Sequence, residues 1–118
     1  LAGSLNGMGH RGVRGKAAFV RLRPGGAIMA HTASHNLRLT CHLGLHIPPG
    51  AYIEVAGERR EWEEGKLLVL DDSFVHLVNN THPTMDRYIL LFHMWHPELV
   101  RQLGYAETEA VAPWKPAM

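Results

Sequence analysis

Two histidines, His31 and His76, stand in polar settings that a plain core histidine does not need. His31 lies in Ala30-His31-Thr32-Ala33, just ahead of the run NLRLTCHLGLHIP, and His76 closes the run LLVLDDSFVH. Two neutral imidazoles brought together from distant strands suit a divalent metal such as zinc, copper, iron or nickel. A two-histidine site without a third strong ligand keeps coordination positions open, and metal catalysis takes place at open positions. The alternative is two histidines, each held by its own separate hydrogen bonds. Composition leans towards metal: nine histidines are present, eight of them after residue 30.

The elements that must position this pair are short strands. Ala17 to Leu22 reads as a strand ended by Arg23-Pro24-Gly25-Gly26. Asn36 to Ile47 alternates, with Leu37, Leu39, Cys41, Leu43 and Leu45 on one face. Arg38, Thr40, His42, Gly44 and His46 share the other face. Further strands are expected at Tyr52 to Ala56, Arg60 to Trp62, Lys66 to Leu70, Phe74 to Asn79 and Arg87 to Met94. Asp71-Asp72-Ser73 reads as a tight turn, and Pro97 opens a short helix, Glu98 to Leu103. Many short strands with close turns and almost no helix read as an all-β jelly roll. The polar face of Asn36 to His46 should then line an interior cavity, because Arg, Thr and His are costly to bury without polar partners.

The 118-residue length fits one domain, and the 46% hydrophobic fraction is enough for a packed core. Residues 16–104 are expected to form that domain. Residues 1–15, rich in glycine, read as a flexible leading segment, and 105–118 as a loosely held tail. The literal G-x-G-x-x-G at Gly7, Gly9 and Gly12 lacks the preceding strand and following helix of a dinucleotide site. Twelve basic residues against eleven acidic ones argue against a nucleic-acid partner. No apolar run approaches the roughly 20 residues of a membrane span. The single cysteine, Cys41, precludes an internal disulfide and reads as an inert core thiol. The expected compartment is cytoplasmic for a complete chain, and lumenal or membrane-anchored for a piece of a longer one.

The stretch RPGGAIMAHTASHNLRLTCHLGLHIPPG, then WEEGKLLVLDDSFVHLVNN, then an arginine and WHPEL, resembles the aspartyl/asparaginyl β-hydroxylase family. The likeness runs from about Phe19 to Leu99. It implies a double-stranded β-helix (a cupin-like jelly roll) and an oxygenase dependent on iron(II), 2-oxoglutarate and dioxygen. It also implies hydroxylation of an unactivated C–H bond, with the β-carbon of Asp or Asn in a protein or peptide as first expectation and a lipid acyl chain as alternative. The matching metal ligands and catalytic centre are His31 and His76, with Ala33 where other oxygenases carry an acidic ligand. His42 and Arg87 match residues that bind 2-oxoglutarate, and the planar fork of Arg87 suits a carboxylate. Arg38 and Thr40 share the His42 face and complete the candidate cofactor-binding set.

The chain departs from the family at particular positions. Thr40 stands where the animal enzyme carries a second arginine, and Val20 where a serine assists Arg87. His93 replaces an acidic residue ahead of WHPEL. These departures keep two rivals open: a non-catalytic cupin-like module holding a metal or small acid, and a zinc- or manganese-dependent cupin enzyme. The plain reading of Arg87 is a salt bridge with Asp86 or Asp71, and that of His42 a satisfied core histidine. Trp62 and Trp95 read as packing residues.

Overall fold

The computed structural model describes residues 3–6 and 16–103. Nine strands and one helix follow in chain order: β1 (Gly3–Asn6), β2 (Lys16–Leu22), β3 (Ala27–His31), β4 (Arg38–His46), β5 (Ala51–Val55), β6 (Glu58–Arg60), β7 (Leu67–Leu70), β8 (His76–Asn80), β9 (Arg87–Trp95) and α1 (Pro97–Gln102). They build two sheets, ordered β1-β2-β9-β4-β7 and β3-β8-β5-β6. Every pairing between these strands is antiparallel. The arrangement is the expected jelly roll with a short C-terminal helix.

Alternation along each strand sorts side chains between the sheets or outside them. Ala51, Ile53, Val55, Leu70, Val78 and Ile89 from the two sheets, with Trp62 from the segment between β6 and β7, form the main core. Full burial contributes about 1.5–3 kcal/mol per large aliphatic side chain. Leu39, Cys41 and Val69 lie on the opposite face of the five-stranded sheet, form a second buried cluster and pack with Phe92 and Met94. The polar face of β4 therefore turns inward and its apolar face outward, yet both are buried. Leu37 and Leu45, at the two ends of the apolar face, are exposed. Cys41 is buried, and desolvation pushes its thiol up to about 11.

Some elements differ from expectation. Gly3–Asn6, read as part of a flexible segment, instead forms β1, paired with β2 from Gly3↔Phe19 to Asn6↔Lys16. The remaining residues of 1–15, with the glycine motif, and the tail lie outside the described residues. The strand expected at Arg60 to Trp62 sits earlier, at Glu58–Arg60, because Ala56 and Gly57 both take positive φ and close a tight hairpin. β8 begins at His76 because Asp71 holds the preceding turn: its Oδ1 accepts from the Ser73 amide (3.0 Å) and hydroxyl (2.6 Å).

β3 has no clean period-2 pattern, for a structural reason. Ile28 pairs with Val78 and His31 with His76, so two residues of β3 oppose one of β8. In a regular strand, Ile28 and His31 would face opposite ways. The bulge puts both on the sheet face that Val78 and His76 share, an irregularity common beside active sites.

Candidate metal and anion site

His31 and His76 meet on the four-stranded sheet, with ring centroids 4.1 Å apart and planes 58° apart. Nδ1 of His31 donates to the Met29 carbonyl at 2.8 Å, and Nδ1 of His76 donates to the Phe74 carbonyl at 2.8 Å. A carbonyl only accepts, so each Nδ1 carries the proton and each Nε2 keeps its lone pair. Outer contacts of this kind orient metal-ligating histidines. Met29 lies within the β3 bulge, so the same irregularity puts His31 on the face of His76 and holds its ring. His76 is buried and His31 exposed, which leaves the pair open on one side.

Other histidines use their rings differently. Nδ1 of His35, His82 and His96 accepts from nearby backbone amides, as local turn and helix caps do. His46 donates Nδ1 to the Asp86 carbonyl at 3.0 Å, but it is exposed and packs edge-on to Tyr88. Among the described residues, no cluster of three or more His, Cys, Asp or Glu side chains is arranged to hold a metal.

His42 and Arg87 belong to the facing five-stranded sheet, on β4 and β9. His42 is buried, and its Nδ1 accepts from the Trp62 indole N–H at 3.0 Å. Burial first, then the charge of Arg87 and the imidazoles of His76 and His93, push His42 down to about 3. It is therefore neutral at physiological pH, with its one proton on Nε2.

Arg87 is 1% exposed. Its guanidinium lies over the Trp62 ring, 4.6 Å from the centroid, and its Nε has no hydrogen-bond partner. Burial alone lowers it to about 10, with no carboxylate countering the shift. The salt bridges considered from sequence do not form: Asp86 pairs with Arg21 at 3.0 Å, and Asp71 bonds Ser73. A buried cation without a counter-ion is costly, and such a group calls for an anion.

Gly44 explains how Trp62 arrives. The segment 61–66 lies against β4, with Gly44 N–H donating to the Lys66 carbonyl (3.1 Å) and Gly65 N–H to the Gly44 carbonyl (2.8 Å). A Cβ at position 44 would collide with the Glu63 carbonyl. The glycine of HLGL thus admits the WEEGK segment, which lays Trp62 beside His42. This contact was missed from sequence, where Trp62 read as packing alone. An indole N–H, which must find an acceptor wherever the ring is buried, was the available signal.

Thr40 and Arg38 are placed differently from His42 and Arg87. Thr40 donates its hydroxyl to Asp72 Oδ2 at 2.7 Å and meets His93 Nδ1 at 3.1 Å. Arg38 reaches the same Asp72 oxygen at 3.6 Å. Both residues are engaged in an internal network at the upper part of β4, and Asp72 also accepts the Ala33 amide through its backbone carbonyl at 2.8 Å. Val20 packs against the main core.

The family model for aspartyl/asparaginyl β-hydroxylase matches residues 3–97. The chain belongs to the aspartyl/asparaginyl β-hydroxylase family. Aspartyl/asparaginyl beta-hydroxylase of Mus musculus is 44% identical over 90 residues, covering 75% of this chain and 12% of its own length. Human aspartate beta-hydroxylase domain-containing protein 2 is 38% identical over 101 residues, covering 84% of this chain and 27% of that protein. The chain thus spans about an eighth to a quarter of the curated relatives it matches. Among solved structures, the cupin domain of Schizosaccharomyces pombe Cnp3 superposes with a TM-score of 0.63 at 11% identity, over 90% of this chain and 72% of that one. The Cupin_2 domain of an XRE family transcriptional regulator from Enterobacter cloacae gives 0.64 at 11% identity, over 81% and 96%. At such identities the likeness establishes the cupin fold alone.

Proposed function

We propose that this chain is the oxygenase domain of an iron(II)- and 2-oxoglutarate-dependent hydroxylase acting on the β-carbon of Asp or Asn in a protein or peptide. The observation that carries this reading is the buried Arg87 guanidinium without a carboxylate partner, facing a sheet that bears two histidines with free Nε2 lone pairs. The donor set fits the groups. His31 and His76 would hold the iron through Nε2. Arg87 would take one carboxylate of 2-oxoglutarate in its planar fork, and His42 would donate its Nε2–H to the acid. When bound, iron and 2-oxoglutarate together supply the oxidation that dioxygen drives.

The chain's own residues bind, orient and exclude water. The Met29 and Phe74 carbonyls fix the ligand rings. Neutral His42 donates without adding a second positive charge, so Arg87 and the metal remain the cations that match a dianion. The main core around Ile53 and Ile89 keeps bulk water from that end of the site.

The peptide substrate is taken from the relatives, which are named aspartyl/asparaginyl beta-hydroxylases. A cavity of about 360 Å³, lined by Asn36, Leu37, Asp71, His96, Glu98, Leu99 and Gln102, includes none of His31, His42, His76 or Arg87. Exposed Met29 and Val75, beside the two histidines in sequence, favour an acyl chain as second reading.

Metal-free protein titrated under nitrogen with iron(II) and 2-oxoglutarate tests the proposal. Chelation by the keto acid gives a visible charge-transfer band, expected to vanish in His31→Ala and weaken in Arg87→Ala. Tight iron binding without the band would favour the non-catalytic module instead. Gain of one oxygen atom by an Asp-containing peptide, or by an acyl substrate, then separates the two substrate readings.

A further inference from the structure

Trp62 touches both groups assigned to the cosubstrate, although it would itself bind nothing. Its indole nitrogen is a donor only, and it is committed to His42 Nδ1 at 3.0 Å. The ring planes are inclined to each other by only 29°, so the N–H runs nearly parallel to the imidazole plane, the plane that holds the Nδ1 lone pair. The π face of the same indole carries the Arg87 guanidinium. That contact occupies one side of the guanidinium; a carboxylate that makes two parallel bonds approaches in the plane of the fork. Trp62 is 3% exposed, so neither contact competes with bulk water.

We propose that Trp62 is the positioning residue of the anion pocket: its N–H holds His42 as the Nε2–H tautomer, and its ring orients Arg87 for in-plane capture of a carboxylate. Without the indole N–H, neutral His42 is free to move its proton to Nδ1, and Nε2 then turns from donor to acceptor facing an anion. The pocket would keep its shape and lose its complementarity. This inference deepens the 2-oxoglutarate reading and rests on it for the identity of the acid.

Nitrogen-15 spectra of the whole chain, labelled in histidine and tryptophan, test it. In the wild-type chain, His42 is expected to show an unprotonated Nδ1, a protonated Nε2 and a through-hydrogen-bond coupling to Trp62 Nε1. Trp62→Phe keeps an aromatic ring under Arg87 and removes the donor. It should mix the His42 tautomers and weaken 2-oxoglutarate binding, measured with iron(II) under nitrogen, by about tenfold. Trp62→Leu removes both contacts and should weaken binding by about a hundredfold or more. A Trp62→Phe chain with the His42 signature unchanged and affinity within twofold of wild type would overturn the proposal. So would a missing coupling in the wild-type chain, a result that does not depend on any variant folding. The ring signature needs no cosubstrate. A wild-type chain with the fixed tautomer but no affinity for 2-oxoglutarate would therefore refute the cosubstrate reading and uphold the hold of Trp62 on His42.

Discussion

In Arg87→Met, the buried guanidinium gives way to an apolar side chain of similar reach. Burial lowers Arg87 from 12.5 to about 10, which corresponds to about 3 kcal/mol held against the charged form at neutral pH. That penalty is complete below pH 10 and disappears in the variant. Loss of the stack on Trp62 offsets about 1–2 kcal/mol. The folded chain should therefore gain about 1–2 kcal/mol, on the order of 5 °C or more in Tm for a domain of this size. Binding moves the other way: two charge-assisted hydrogen bonds are lost, and 2-oxoglutarate affinity should fall by about a hundredfold or more. Thermal unfolding followed by circular dichroism, with calorimetric titration of 2-oxoglutarate onto the iron(II) form under nitrogen, measures both. A variant destabilised by about 2 kcal/mol or more would mean that Arg87 serves an internal partner, and the reasoning from an uncompensated cation would fail.

His31→Ala should leave the metal-free chain within about 0.5 kcal/mol of wild type, because the side chain is exposed. It should also abolish the rise in Tm that iron(II) brings; a retained rise would refute the ligand role. His42 is held near 3 when folded and returns to 6.5 when unfolded. Its contribution is complete above pH 6.5 and is lost as pH falls towards 3, at about 1.4 kcal/mol per pH unit. Urea midpoints over that window should fall less steeply in His42→Gln, and parallel curves would contradict the assignment. Thr40→Val removes the 2.7 Å bond to Asp72 and leaves a buried carboxylate short of a donor. It should destabilise by about 1–3 kcal/mol in urea unfolding, and an unchanged midpoint would place the Asp72 charge elsewhere.

Period-2 patterns were readable wherever one strand face is polar and the other apolar. β4 could be read this way, and the inward turn of its polar face was expected from Arg38, Thr40 and His42. β3 could not, because its bulge puts Ile28 and His31 on one face at an odd spacing. The meeting of His31 and His76 was expected from their polar settings and from the family resemblance. What a one-dimensional pattern does not carry is which nitrogen of each ring is engaged. That depends on carbonyls of Met29 and Phe74 placed by backbone geometry. Thr40 shows the same limit: its side of the strand was evident, but its commitment to Asp72 depends on a turn packed from 32 residues away.

The candidate metal ligands belong to one sheet and the candidate anion groups to the other. Anything that touches His76 and Arg87 together therefore spans the gap between two layers roughly 10 Å apart. Each such ligand acts as a rivet, and its binding free energy adds to that of keeping the sandwich shut. Separation of the layers would dismantle the site before any single strand unfolds. Hydrogen exchange at amides facing the interlayer space should accordingly slow when both ligands are present, and by more than either achieves alone.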